Sequence, residues 1–198
     1  MTQPEEVMTF WFGEGDDPWR VDDEIVSRWF GGGEEFDEEI RQRFGDDLQR
    51  AILGEYDDWA ETTRGRMALI LLLDQFSRHL FRGSPRSWTQ DLFAQKLTLE
   101  GLEAGVDQQL RPVERTFFYL PLEHAEDLQL QKLSVKMYAR LVEDAPEDAG
   151  YVRSTLDYAE GHRRVIEQFG RFPHRNEVIG RPSTAEELAY LEESEGWL

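Results

Sequence analysis

A chain of 198 residues that is 39% hydrophobic and 12% aromatic has enough apolar surface to bury a core, and its Trp and Phe content argues against disorder. The absence of cysteine excludes disulfides, cysteine zinc sites and thiol nucleophiles. A formal charge of -19 disfavours nucleic acid and anionic membrane surfaces as partners.

The opening stretch MTQPEEVMTFWFGEG has neither a basic n-region nor a sustained apolar run, so it does not read as a signal peptide. Pro4 to Phe12 reads as a short helix, followed by the loop GEGDDPWR. Asp22 or Asp23 caps a second short helix carrying Ile25, Val26, Trp29 and Phe30, and Gly31–Gly33 ends it. From Glu35, Phe36, Ile40, Phe44, Leu48 and Ile52 recur at spacings of four, a helical signature; Gly45 is placed to kink or split that helix and Gly54 to cap its end.

The next helix spans Arg64 to Arg82. Its first half, with MALILLL at Met67–Leu73, is apolar on every face, which predicts the central buried helix; the run is too short to cross a bilayer. Gly83 and Pro85 stop it. Ser87 with Gln90 reads as a capping box for a helix running to Gly105. Pro112 suits the first turn of the next helix, and Pro121 is expected to kink or break it. Asp127 to Val142 is amphipathic, Tyr151 to Gln168 is a long helix ended by Gly170, and Ser183 with Glu186 reads as a capping box for a last helix through Leu191. No segment alternates with period two. The expectation is a single all-α domain over residues 1–198, cytoplasmic, with eight to ten helices in antiparallel hairpins and no sheet.

Three constellations can carry chemistry. In LLLDQFSRHLFRG, Asp74, Arg78 and Arg82 fall within about 80° of one another on one helix face. They read either as an internal salt-bridge ladder or as the lining of a cleft for a carboxylate or phosphate. In RTFFYLPLEHAED, Glu123 and His124 follow Pro121, and His124 suits an acid/base group or a satisfied structural histidine. In FGRFPHRNEVIGRPST, Gly170 and Pro173 fix a loop that aims Arg171, His174, Arg175 and Asn176, with Arg181 close behind, and Phe169 and Phe172 can anchor it. Arginine suits planar, bidentate recognition of anions; the alternative is that these arginines pair with Asp74 or Glu123 inside the protein. No histidine has a Glu three residues before it and HExxH is absent, so no metal or cofactor is expected; nor is there a Walker A, a GxSxG or a dinucleotide fingerprint.

These segments together, with VMTFWFG at the N-terminus and GRPSTAEELAYL at the end, resemble the bacterial domain-of-unknown-function 924 family across nearly the whole chain. The resemblance implies an all-α fold similar to the right-handed superhelix of tetratricopeptide-like proteins, and implies no reaction. Three functions stand as expectations. The first is binding of a small anion by Asp74, Arg78, Arg82, Arg171, His174, Arg175, Asn176 and Arg181. The second is an enzyme using His124 with Glu123, or His174, as acid and base. The third is a scaffold for a basic protein partner, which calls for an exposed cluster of Trp11, Trp19, Trp29 or Trp88. The oligomeric state is not legible.

Overall fold

The computed structural model describes residues 2–193; Met1 and residues 194–198, the ends of the span read above as one domain, lie outside them. The described residues are helical with no strand. In chain order the helices are α1 (Pro4–Phe12), α2 (Asp23–Gly31), α3 (Gly33–Ile52), α4 (Thr63–Ile70), α5 (Ser77–Leu80), α6 (Asp91–Glu103), α7 (Pro112–Glu123), α8 (Leu128–Glu143), α9 (Gly150–Phe169) and α10 (Ala185–Glu193). A π-helical stretch, Leu71–Phe76, joins α4 to α5 without a break, so the described residues form nine continuous helices.

Local chemistry explains most boundaries. Pro4 starts α1, where the backbone N–H of Gln3 donates to Glu6 Oε1 at 2.9 Å. Asp127 caps α8, accepting from the N–H groups of Gln129 and Leu130 at 2.7 and 3.0 Å. Gly170 ends α9 in the left-handed conformation, φ 68°.

Five expectations are corrected. Gly45 neither kinks nor splits α3, which runs unbroken for 20 residues with Phe36, Ile40, Phe44 and Leu48 buried along one stripe. Ser87 is not a helix cap. Pro85–Trp88 forms a 3-10 turn capped by Ser84, α6 begins at Asp91, and the Ser87 hydroxyl donates to the Phe81 carbonyl at 2.5 Å. Pro121 does not break α7, because only two residues follow it and the lost hydrogen bond falls in the last turn. The capping box of α10 is Thr184 with Glu187, one residue later than Ser183 with Glu186: Thr184 N–H donates to Glu187 Oε2 at 2.7 Å and Glu187 N–H to Thr184 Oγ1 at 3.2 Å. Finally, α5 stops at Leu80, so Arg82 lies beyond the helix and leaves the stripe of Asp74 and Arg78.

Met67 to Leu73 are all fully buried, as the apolar run requires. Around this helix the aromatic side chains of α1, α2, α3 and α7 interlock. Trp29 meets Phe117 edge to face with ring centres 4.6 Å apart, Trp11 lies 5.4 Å from Phe117 and 5.5 Å from Phe76, and Trp29 Nε1 donates to the Trp11 carbonyl at 3.0 Å. Trp11 and Trp29 therefore belong to the core, and the surface tryptophan cluster that a scaffold calls for does not include them. Helices α6 to α9 each pack against the next, an order compatible with tetratricopeptide-like hairpins. A second, small cluster of Val165, Ile166 and Phe172 seats the loop after α9 against α10 through Tyr190. Among the described residues no helix is long and apolar enough to cross a membrane.

Candidate functional site

The central helix delivers Asp74 from within its π-helical stretch, a backbone form that recurs at functional sites. Asp74 is fully buried and is surrounded by donors. The Gln75 amide donates to it, Arg78 Nη1 lies 2.9 Å from Oδ1 and donates to the Asp74 carbonyl at 2.8 Å, and His124 Nδ1 lies 2.8 Å from Oδ1. Burial by itself would raise the Asp74 carboxyl; the Arg78 guanidinium and then His124 override it and hold it well below the usual carboxylate range. An ionised Asp74 only accepts, so Nδ1 of His124 carries the hydrogen and Nε2 keeps the lone pair. Burial, and next the Arg78 charge, lower the His124 pKa and keep the imidazole neutral.

A second carboxylate links two arginines that are far apart in sequence. Asp91, at the start of α6, lies 3.0 Å from Arg78 Nη1 and accepts from Arg78 Nη2 at 3.1 Å and from Arg175 Nη1 at 3.3 Å. Arg175 Nη2 donates to the His124 carbonyl at 3.0 Å. The Arg175 guanidinium lies 4.6 Å from the Phe172 ring and 5.4 Å from the Trp88 ring. Arg175 is 7% exposed, burial lowers its pKa to about 10, and its Nε has no hydrogen-bond partner. His174 Nδ1, beside it, also lacks a partner; burial and then the Arg175 charge push its pKa down to about 4.

The third group is Glu123 with His162. Glu123 Oε1 lies 3.1 Å from His162 Nδ1, which also reaches the Tyr158 carbonyl at 3.0 Å. Burial pushes the Glu123 carboxyl up to about 8 and the His162 imidazole down to about 4. Both members are therefore uncharged at neutral pH, and the contact is one between neutral groups rather than an ion pair.

These groups face a cleft of two lobes. The larger, about 630 Å³, is lined by Val26, Phe30, Leu120, Tyr138 and Tyr151, with Glu123 in its wall. The smaller, about 330 Å³, is lined by Arg82, Trp88, Phe172, His174 and Arg175. Arg78, His124 and His162 line both and form the waist between them.

The sequence-derived site divides in two. Arg78, Glu123, His124, His174 and Arg175 come together on the cleft, with Asp74 buried behind it. Arg82 reaches the rim of the smaller lobe, 63% exposed and held by Asp37 at 2.9 and 3.0 Å. Arg171, Asn176 and Arg181 do not line the cleft. Arg171 donates to Glu187 at 2.6 and 2.8 Å, and Arg181 donates to Glu126 at 2.6 and 2.7 Å and to the Asn176 side chain at 2.8 Å. They clasp the loop from outside, and the carboxylates they use are Glu187 and Glu126 rather than Asp74 or Glu123. Sequence reasoning missed Asp91 and His162 as members of the site. The one local signal for His162 is its neighbour Gly161, a poor helix former buried in the middle of α9. Among the described residues no three His, Asp or Glu side chains gather closely enough to hold a metal ion.

The fold is similar to a solved structure described as a protein of unknown function, ATU0120, from Agrobacterium tumefaciens. Identity is 35%, the TM-score is 0.82, and the match covers 96% of this chain and 97% of that one. No curated protein matches the chain. A family model described as "Bacterial protein of unknown function (DUF924)" matches residues 7–195. Matched by that model over almost its entire length, and carrying the three motifs that built the cleft, the chain belongs to this bacterial family.

Proposed function

We propose that this protein binds a small anionic ligand, a carboxylate or phosphate, in the smaller lobe between Arg78 and Arg175. The observation that carries the reading is Arg175. A guanidinium is costly to bury, and this one shares a single carboxylate, Asp91, with Arg78 while its Nε makes no hydrogen bond. The adjacent His174 Nδ1 is unpaired as well. Arg78 and Arg175 both line the lobe, and an anion there meets their remaining guanidinium N–H groups with charge-assisted hydrogen bonds. The acidic exterior selects against large polyanions, so a small ligand suits the site best.

The test is a thermal-shift series with inorganic phosphate, acetate and simple dicarboxylates on the wild type and on Arg175→Gln. A ligand at about 100 times its Kd adds roughly 2.7 kcal/mol, a rise of roughly 5–10 °C for a domain of this size. The expected result is a rise in the wild type that Arg175→Gln loses. No rise with any anion removes the reading.

The Asp74–His124 pair favours a second reading, an acid/base enzyme acting on such an anion. Asp74 fixes His124 with its Nε2 lone pair available as a base, and Glu123, protonated near neutrality, can serve as the acid in the wall of the larger lobe, which His124 also lines. His124→Gln is then expected to keep phosphate binding and abolish turnover of any substrate found. Unchanged turnover excludes His124 as the base.

A further inference from the structure

We infer that the ligand is amphipathic, with one anionic head between Arg78 and Arg175 and an apolar body, an alkyl chain or an aromatic ring, in the larger lobe. This rests on the anion-binding reading above and adds the class of molecule to it.

Adjacency comes first. The two lobes share Arg78, His124 and His162 in their walls, so a molecule whose head sits on Arg78 has the larger lobe next to its remaining atoms. The larger lobe, about 630 Å³, falls within the usual range for small-molecule pockets of roughly 300–1,000 Å³.

The chemistry of the larger lobe comes second. Val26, Phe30 and Leu120 present hydrocarbon, and the hydroxyl groups of Tyr138, Ser154 and Thr155 donate to the protein's own backbone. Tyr138 O–H donates to the Thr116 carbonyl at 2.6 Å, Ser154 Oγ to the Tyr151 carbonyl at 2.7 Å, and Thr155 Oγ1 to the Val152 carbonyl at 2.7 Å. The Tyr151 hydroxyl lies 3.4 Å from Thr116 Oγ1. A sugar phosphate or a polyol would strand its hydroxyl groups against such a wall, at the cost of their desolvation. An alkyl or aryl body brings no hydroxyl groups to strand. The two carboxyl groups on the lining do not oppose it: Asp23 sits at the exposed rim, and Glu123 is held neutral by burial. Phe30, 73% exposed at the same lobe, gives such a body an apolar lip to close on.

Calorimetric titration of the full chain with acetate, butanoate, octanoate, 1-octanol and inorganic phosphate tests the inference. Each methylene buried in the larger lobe is expected to tighten binding about fourfold, so octanoate binds on the order of 10²-fold more tightly than butanoate. Arg175→Gln is expected to weaken octanoate at least about tenfold through loss of a charge-assisted hydrogen bond. Ser154→Trp, which narrows the larger lobe, is expected to bring octanoate toward the affinity of acetate while leaving phosphate unchanged. The chain-length series in the wild type decides the matter even if Ser154→Trp does not fold. Equal affinities for acetate, butanoate and octanoate overturn the amphipathic ligand and leave the anion site standing. Octanol binding as tightly as octanoate overturns the anionic head. No binding by any probe, phosphate included, overturns both.

Discussion

Glu123 carries a proton that its unfolded counterpart gives up. Its carboxyl titrates near 4.5 when unperturbed and at about 8 in the fold, where burial disfavours the charged form. Between those values the unfolded chain has lost the proton and the folded chain keeps it, so stability falls as the pH rises through the window, on the order of 1 kcal/mol per pH unit. Glu123→Gln removes the slope. The variant and the wild type are expected to melt at similar temperatures at about pH 5, and the variant is expected to melt higher at about pH 8, where the wild type has met its full penalty. Identical melting at both values would mean that Glu123 ionises freely in the fold. At the same scale, charge decided which sequence-derived residues reached the cleft. Arg78 and Arg175 share Asp91 on the cleft side, with Asp74 also on Arg78, whereas Arg171 and Arg181 found Glu187 and Glu126 away from the cavity.

At the scale of the element, the loop from Gly170 to Asn176 is positioned by its ends. Gly170 turns out of α9 with φ 68°, a conformation that costs a residue with a side chain roughly 1–2 kcal/mol. Gly170→Ala is expected to lower the melting temperature by roughly 2–8 °C. An unchanged melting temperature would show that the backbone at Gly170 relaxes at no cost. Helix ends set by one residue's chemistry were legible: Pro4 and Pro112 open helices where a missing N–H is harmless, and Gly170 closes one. The π-helical stretch was not, because an apolar run from Met67 to Leu73 has no polar phase against which an extra residue would register. The α10 cap was misread by one residue for a tertiary reason. Ser183/Glu186 and Thr184/Glu187 satisfy the same pattern, and what separates them is that Glu187 is buried against Arg171.

For the whole molecule, a charge of -19 surrounds a cleft walled by arginine and histidine. At physiological ionic strength the screening length is about 8 Å, so the exterior acts on a long polyanion along its length and on a small anion inside the cleft far less. The motifs that build this cleft were visible in the sequence as three separate stretches, but their joining was not. Asp91 meets Arg78 from 13 residues away and Arg175 from 84, and His162 meets Glu123 from another helix; no local pattern encodes such pairings. The larger lobe was equally hidden, since Val26, Leu120 and Tyr151 each look like ordinary core positions until α2, α7 and α9 are brought together.

Glu126 has a consequence in time. Its two carboxylate oxygens receive both arms of Arg181 and the backbone N–H of Phe172, the latter at 2.8 Å, and so draw in a stretch of chain made some 46 to 55 residues later. A chain synthesised from its N-terminus therefore has α2, α7 and α8 in hand before the segment that carries Arg175 exists. The hydrocarbon lobe and Arg78 are made first, and Arg175, the second cation of the anion site, comes last. A nascent chain halted before Gly170 exposes a greasy concavity with Arg78 beside it but without Arg175, and the protein completes its anion site only when about its final seventh has emerged and tied itself to Glu126.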